Sequence, residues 1–160
     1  MKSKYVGWII FILSFIGFLI IENLFTIKPH VTSGNGNLGL LVIIIFSPIF
    51  IANYILVFRL VKSSFSNKLT RKSMLIILCI SFVILLVLGL LIFNYIKELI
   101  IALGGPPTNP ESRIYRFGWF NQYTNSMYFN IYTFLFTNIL VFNIGILASY
   151  IKNNKEKIRD

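Results

Sequence analysis

The chain has 160 residues, 56% hydrophobic and 12% charged, with a mean hydropathy of +0.78. A soluble domain of that length has too much surface for its volume to hide so many apolar side chains, which excludes an ordinary water-soluble fold and makes the bilayer the solvent. The net charge of +10 comes from basic residues at the ends of apolar runs, where anionic lipid headgroups are the fitting counterions, and no nucleic-acid-binding motif accompanies them.

A helix that crosses about 30 Å of hydrocarbon needs about 20 mainly apolar residues. Four segments qualify, at 5–25, 38–61, 74–95 and 127–151, so the expected fold is an all-α integral membrane protein in one domain. The first run follows MKSK and has the look of a secretory signal peptide. It is too long for that role, however, and no small-x-small cleavage site follows it closely; VTSG at 31–34 lies beyond Pro29. A retained helix is the expectation. Near its far end, Glu22 is either a carboxylate that reaches the interface or pairs with Lys28 or Lys97, or a proton- or cation-binding group inside the bundle.

Residues 26–37 (TIKPHVTSGNGN) form a short loop with turns at Pro29 and Asn35-Gly36. In the second helix Pro48 follows Ser47 close to mid-membrane. It removes a backbone donor and clashes with the Ile44 carbonyl, which predicts a kink whose freed carbonyl a serine hydroxyl or a neighbour can satisfy. Asn53 and Tyr54 lie a turn further on, placed to hydrogen-bond across to another helix. A short basic loop, 62–73, leads into the third helix, which holds the lone cysteine, Cys79, as a small packing residue.

The connection 96–126 is long and contains GGPPTNPESRIYRFGWFNQY. Gly104-Gly105-Pro106-Pro107 and Asn109-Pro110 are turn formers. From Arg113 to Tyr123 cations and rings interleave, including Arg116, Phe117, Trp119 and Phe120. This run is too apolar for a loop free in water, so it is expected to lie on the interface or fold over the bundle. Its arginines would hold lipid phosphates or an anionic ligand, or pair with Glu98 or Glu111.

The fourth helix is the most polar. Asn130, Thr133 and Thr137 share one face at i, i+3 and i+7, and Asn138 and Asn143 add amides deeper in. Such groups join helices, or else line a path or a contact face. Gly89 and the Gly145/Ala148 pair permit close approach without forming a GxxxG motif. The charged tail is 152–160 (KNNKEKIRD).

Lys2, Lys4, Arg59, Lys62, Lys68, Arg71, Lys72, Lys152, Lys155, Lys157 and Arg159 fall on one side of this threading, against Lys28, Lys97, Arg113 and Arg116 on the other. The positive-inside rule then predicts both termini and the 62–73 loop in the cytoplasm, with 26–37 and 96–126 outside. Abundant Ile, Phe, Asn, Lys and Tyr fit AT-rich bacterial coding, hence a bacterial cytoplasmic membrane. A single histidine, His30, gives no zinc or bis-histidine haem site within one chain, and neither a P-loop nor a GxGxxG element occurs, so no cofactor and no enzymatic activity are expected. The expected role is contact with the lipid bilayer and with another membrane protein or itself, as an accessory subunit or an immunity-type protein. The alternative is an oligomeric small transporter or channel component that uses Glu22, Asn138 and Asn143.

Overall fold

The computed structural model describes the backbone of residues 2–34, 36–66 and 70–159, and the side chains of 5–34, 36–65 and 70–152. Asn35 of the first loop and Lys68 of the basic loop lie outside the described residues, as do the side chains of Lys2, Lys4, Lys155, Lys157 and Arg159. The described residues are helical without strands: α1 (Lys2–Asn23), α2 (Leu38–Ser66), α3 (Arg71–Ala102), the short α4 (Arg113–Phe117) and α5 (Asn125–Tyr128), and α6 (Ile131–Arg159). Four helices are long and apolar enough to cross a membrane, within Tyr5–Asn23, Leu38–Phe65, Arg71–Ala102 and Asn125–Lys152.

Three of these helices outrun the apolar segments. α3 has 32 residues, about 48 Å at about 1.5 Å per residue, longer than the roughly 30 Å of hydrocarbon a span needs to cross. Its extension past Tyr95 keeps Lys97 and Glu98 exposed while Leu99 and Ile100 pack against buried Leu103. Hydropathy ends where the lipid tails end; backbone hydrogen bonding need not. At the other end Thr70 caps the helix by accepting from the Ser73 amide at 3.2 Å. α3 closes in a Schellman turn: the amide of Gly105 donates to Ile100 O at 2.9 Å and that of Gly104 to Ile101 O at 3.1 Å, and Gly104 has φ +92°. The basic segment and the tail are likewise partly helical, α2 reaching Ser66 and α6 Arg159.

The last span is two pieces, which corrects the expected single helix over 127–151. α5 stops at Tyr128 because Asn130 acts as the N-cap of α6. Its Oδ1 accepts from the Thr133 amide at 2.9 Å while Thr133 Oγ1 accepts from the Asn130 amide at 2.9 Å, a reciprocal box. Asn130 therefore does not stand on a helix face with Thr133 and Thr137.

Helix α6 is the hub. It packs against α2, α3 and α1, and α1 also packs on α2. Bridges between Asn53 and Asn138 and between Lys62 and Ser149 advance together along α2 and α6, so these helices run parallel. α1 is antiparallel to α2, since Gly7 faces Leu60 while Gly17 faces Phe50. The start of α1 at Lys2 and the end of α6 at Arg159 thus lie at one end of the bundle, and the described parts of the 24–37 and 103–130 connections lie together at the other.

The largest buried cluster is aromatic. Phe18, Phe50 and Phe134 are buried, with Phe11, Phe15, Phe46 and Phe129 packed around them, and Phe18 meets Phe50, Phe129 and Phe134 at 4.9–5.2 Å between centroids. Most of these contacts are edge-on or tilted, the arrangement that sets the positive ring edge against a negative face. A second cluster, around Val61, Met74 and Ile146, lies near the terminal end. There Gly145 lets the helices close in, because a Cβ at that position would stand 2.9 Å from Val61 Cγ1.

Candidate functional site

Several intramembrane polar residues lie between the helices and are hydrogen-bonded there, whereas buried Ser14 Oγ finds no hydrogen-bond partner among the described residues. Near the middle of α2 and α6, Asn53 Nδ2 donates to Asn138 Oδ1 at 2.9 Å, and Asn138 Nδ2 donates to Phe134 O at 2.8 Å. At the adjacent residues, the hydroxyls of Tyr54 and Thr137 meet at 3.0 Å. Asn143 Oδ1 accepts from Ser81 Oγ, tying α6 to α3. Ser149 Oγ donates to Lys62 O at 2.7 Å. Leaving an amide unpaired in hydrocarbon is costly, so these residues settle between helices. Asn53, Asn138 and Asn143 are all at least nine-tenths buried and are not available as an outward contact face.

Pro48 is exposed on the outside of α2. The carbonyl it frees is taken locally: Ser47 Oγ donates to Ile44 O at 2.9 Å. Glu22 meets neither Lys28 nor Lys97. Its Oε2 accepts from the amide of Ile131, the first residue of α6, at 3.3 Å. A carboxylate there opposes the positive end of the helix dipole and satisfies a donor that the helix leaves open.

The capped end is built from two connections. Asn37 and Asn125 form a reciprocal amide pair, with Nδ2 to Oδ1 distances of 3.0 and 2.7 Å, and Asn125 Nδ2 also donates to Phe25 O at 3.0 Å. The Ile27 amide donates to Gln122 O at 2.8 Å and the Ser33 amide to the Tyr123 hydroxyl at 3.3 Å. Residues 121–127 are all buried. This run, NQYTNSM, is polar yet interior because its groups bond to each other and to the 24–37 loop: Tyr123 N donates to Asn121 Oδ1 at 2.8 Å and Thr124 Oγ1 to Trp119 O at 2.7 Å.

Arg113 lies over the Tyr123 ring, 4.3 Å from its centroid, and donates to Val31 O at 3.0 Å. It clamps the two connections together and is not a free cation. Arg116 pairs with Glu111 at 3.2 Å, with both side chains exposed. The segment expected to be one working surface is therefore divided. Residues 115–120, YRFGWF, are exposed without interruption, and the next seven are buried. Gly118 makes the change of direction at φ +76°.

The sequence reading did not find the phenylalanine cluster, the Asn37–Asn125 pair or the buried 121–127 run. Three asparagines and a glutamine within 121–130 carry the only hint, since such density in an apolar chain requires mutual bonding. Compared with known proteins, the chain matches no family model, no curated protein and no solved structure at a significant level. Fold and site together describe a multi-pass all-α membrane protein with a hydrogen-bonded cap at one end of its bundle.

Proposed function

We propose that this is a small protein of the bacterial cytoplasmic membrane that acts by contact, as an accessory subunit of a membrane complex or an immunity-type protein. Its termini lie in the cytoplasm and its capped end faces outside, in line with the excess of Lys and Arg at the terminal end. The single observation that carries the contact reading is where the polar groups are used. Asn53, Asn138, Thr137 and Asn143 are engaged in helix–helix bonds and Glu22 in capping α6, so they support packing rather than a polar path. What remains exposed and chemically distinctive is the 115–120 strip of the cap, with Arg116 and Trp119 at its centre.

The test is mild-detergent or nanodisc purification from the native host, with mass spectrometry of co-eluting proteins. A stoichiometric membrane partner, retained in Glu22→Gln and Asn138→Leu, is the expected result. A lone homo-oligomer whose solute flux disappears in Glu22→Gln would overturn it in favour of a transporter.

A further inference from the structure

We infer that the 115–120 strip of the cap is a membrane-interface anchor: its rings sit among the headgroups and upper acyl chains of the bilayer, with Arg116 at phosphate level. The inference deepens the contact reading above and rests on it for the strip being a working surface; it names the bilayer as what the strip touches.

The first argument is tethering. The cap segment is held between Ala102, where α3 ends, and Asn125, where the last apolar span begins. It cannot rise far from the membrane, because residues 121–127 beneath it are buried and bonded to the 24–37 loop.

The second argument is continuity. Phe120 is 77% exposed and stacks on Tyr128 at 5.0 Å and 19°, and the Tyr128 hydroxyl donates to Trp119 O at 3.4 Å. Tyr128 belongs to the last span and is itself exposed, as are Ile131 and Leu135 further along it. The Phe120 ring therefore prolongs the lipid-facing surface of that span instead of crowning the end of the bundle, and the Trp119 backbone is tied to the same span, with its own side chain exposed. Tyr115 and Phe117 add two more exposed rings on the same strip.

The third argument is chemical. Left in water, four neighbouring exposed aromatic rings would form the kind of apolar patch that soluble surfaces avoid. Trp, Tyr and Phe mixed with Arg is the composition of the membrane–water interface, where rings lie at headgroup depth and guanidinium groups meet phosphates. Arg116 Nε donates to Pro110 O at 3.4 Å and Nη2 pairs with Glu111 at 3.2 Å, but both contacts are solvent-exposed and the ion pair is weak, so a lipid phosphate can compete for the guanidinium.

The chain has two tryptophans, Trp8 and Trp119, so Trp8→Phe leaves Trp119 as the only indole. The full-length variant is reconstituted in phosphatidylcholine–phosphatidylglycerol vesicles without other proteins. Emission is read with lipids brominated near the headgroup end of the acyl chains and, separately, near the chain terminus. The expected result is blue-shifted emission that loses most of its intensity to the shallow bromines and less to the deep ones. Trp119→Phe, which leaves Trp8 alone in α1, verifies insertion by its own quenching. Water-like emission from Trp119 that neither lipid quenches, with Trp8 quenched normally, overturns the inference and assigns the strip to a protein partner. Because no partner is present in the vesicles, failure here is separate from failure of the co-purification.

Discussion

Gly39→Ala tests how closely the cap is held against the start of α2. A Cβ at position 39 would stand 2.7 Å from the Phe25 carbonyl oxygen and well inside contact with Asn125 Nδ2. The Asn125 side chain can swing away, but only by giving up its two bonds with Asn37 and its bond to Phe25 O. At about 1 kcal/mol net for each hydrogen bond, that is a loss of roughly 3 kcal/mol. The carbonyl is backbone and cannot rotate out of reach, so overpacking adds about 1 kcal/mol or more. Gly39→Ala should therefore destabilise the protein by roughly 4 kcal/mol, read by equilibrium unfolding in mixed micelles. Limited proteolysis should cut the 24–37 connection sooner than in the parent. Asn125→Ala alone removes the same bonds and should cost roughly 3 kcal/mol. In the double variant the bonds are lost only once, so the combined cost should fall short of the sum by about 2 kcal/mol or more. A Gly39→Ala protein within about 0.5 kcal/mol of the parent, or strict additivity in the double variant, would refute the reasoning, because independent sites add to within about that margin.

Five other substitutions test the packing of the bundle. Asn53→Leu and Asn138→Leu should each cost about 0.6 kcal/mol and at most about 2, with the double variant costing less than the sum; the same mixed-micelle titration measures it. Ser47→Ala should cost about 1 kcal/mol in the parent, where Ser47 Oγ covers Ile44 O, and almost nothing beside Pro48→Ala, which restores the backbone donor. Gly145→Val should force α2 from α6 at Val61 and the Phe58 carbonyl, costing about 1–3 kcal/mol and lowering the temperature at which the protein leaves its monodisperse chromatographic peak.

The amino-acid sequence by itself determined the solvent and the number of spanning segments, and it marked the amides that need partners, because each follows from a local rule. About twenty apolar residues span the hydrocarbon, and a polar side chain within them must find a partner. The partners were not legible. Asn53 and Asn138 are 85 residues apart, and only the parallel packing of α2 on α6 brings them to 2.9 Å. The division of the cap is also a tertiary outcome. YRFGWF is the more apolar half of that segment and NQYTNSM the more polar, so hydropathy alone would bury the first and expose the second. The structure does the reverse. The amides of the second half bond to the 24–37 loop, and buried polar groups are tolerated once paired. Glu22 shows the same limit: lysines at 28 and 97 are its obvious partners by charge, yet the amide of Ile131 at the start of α6 is what the fold places beside it. Periodicity and hydropathy measure a residue against the lipid, whereas pairing depends on which helix ends meet, and that is settled only when the bundle closes.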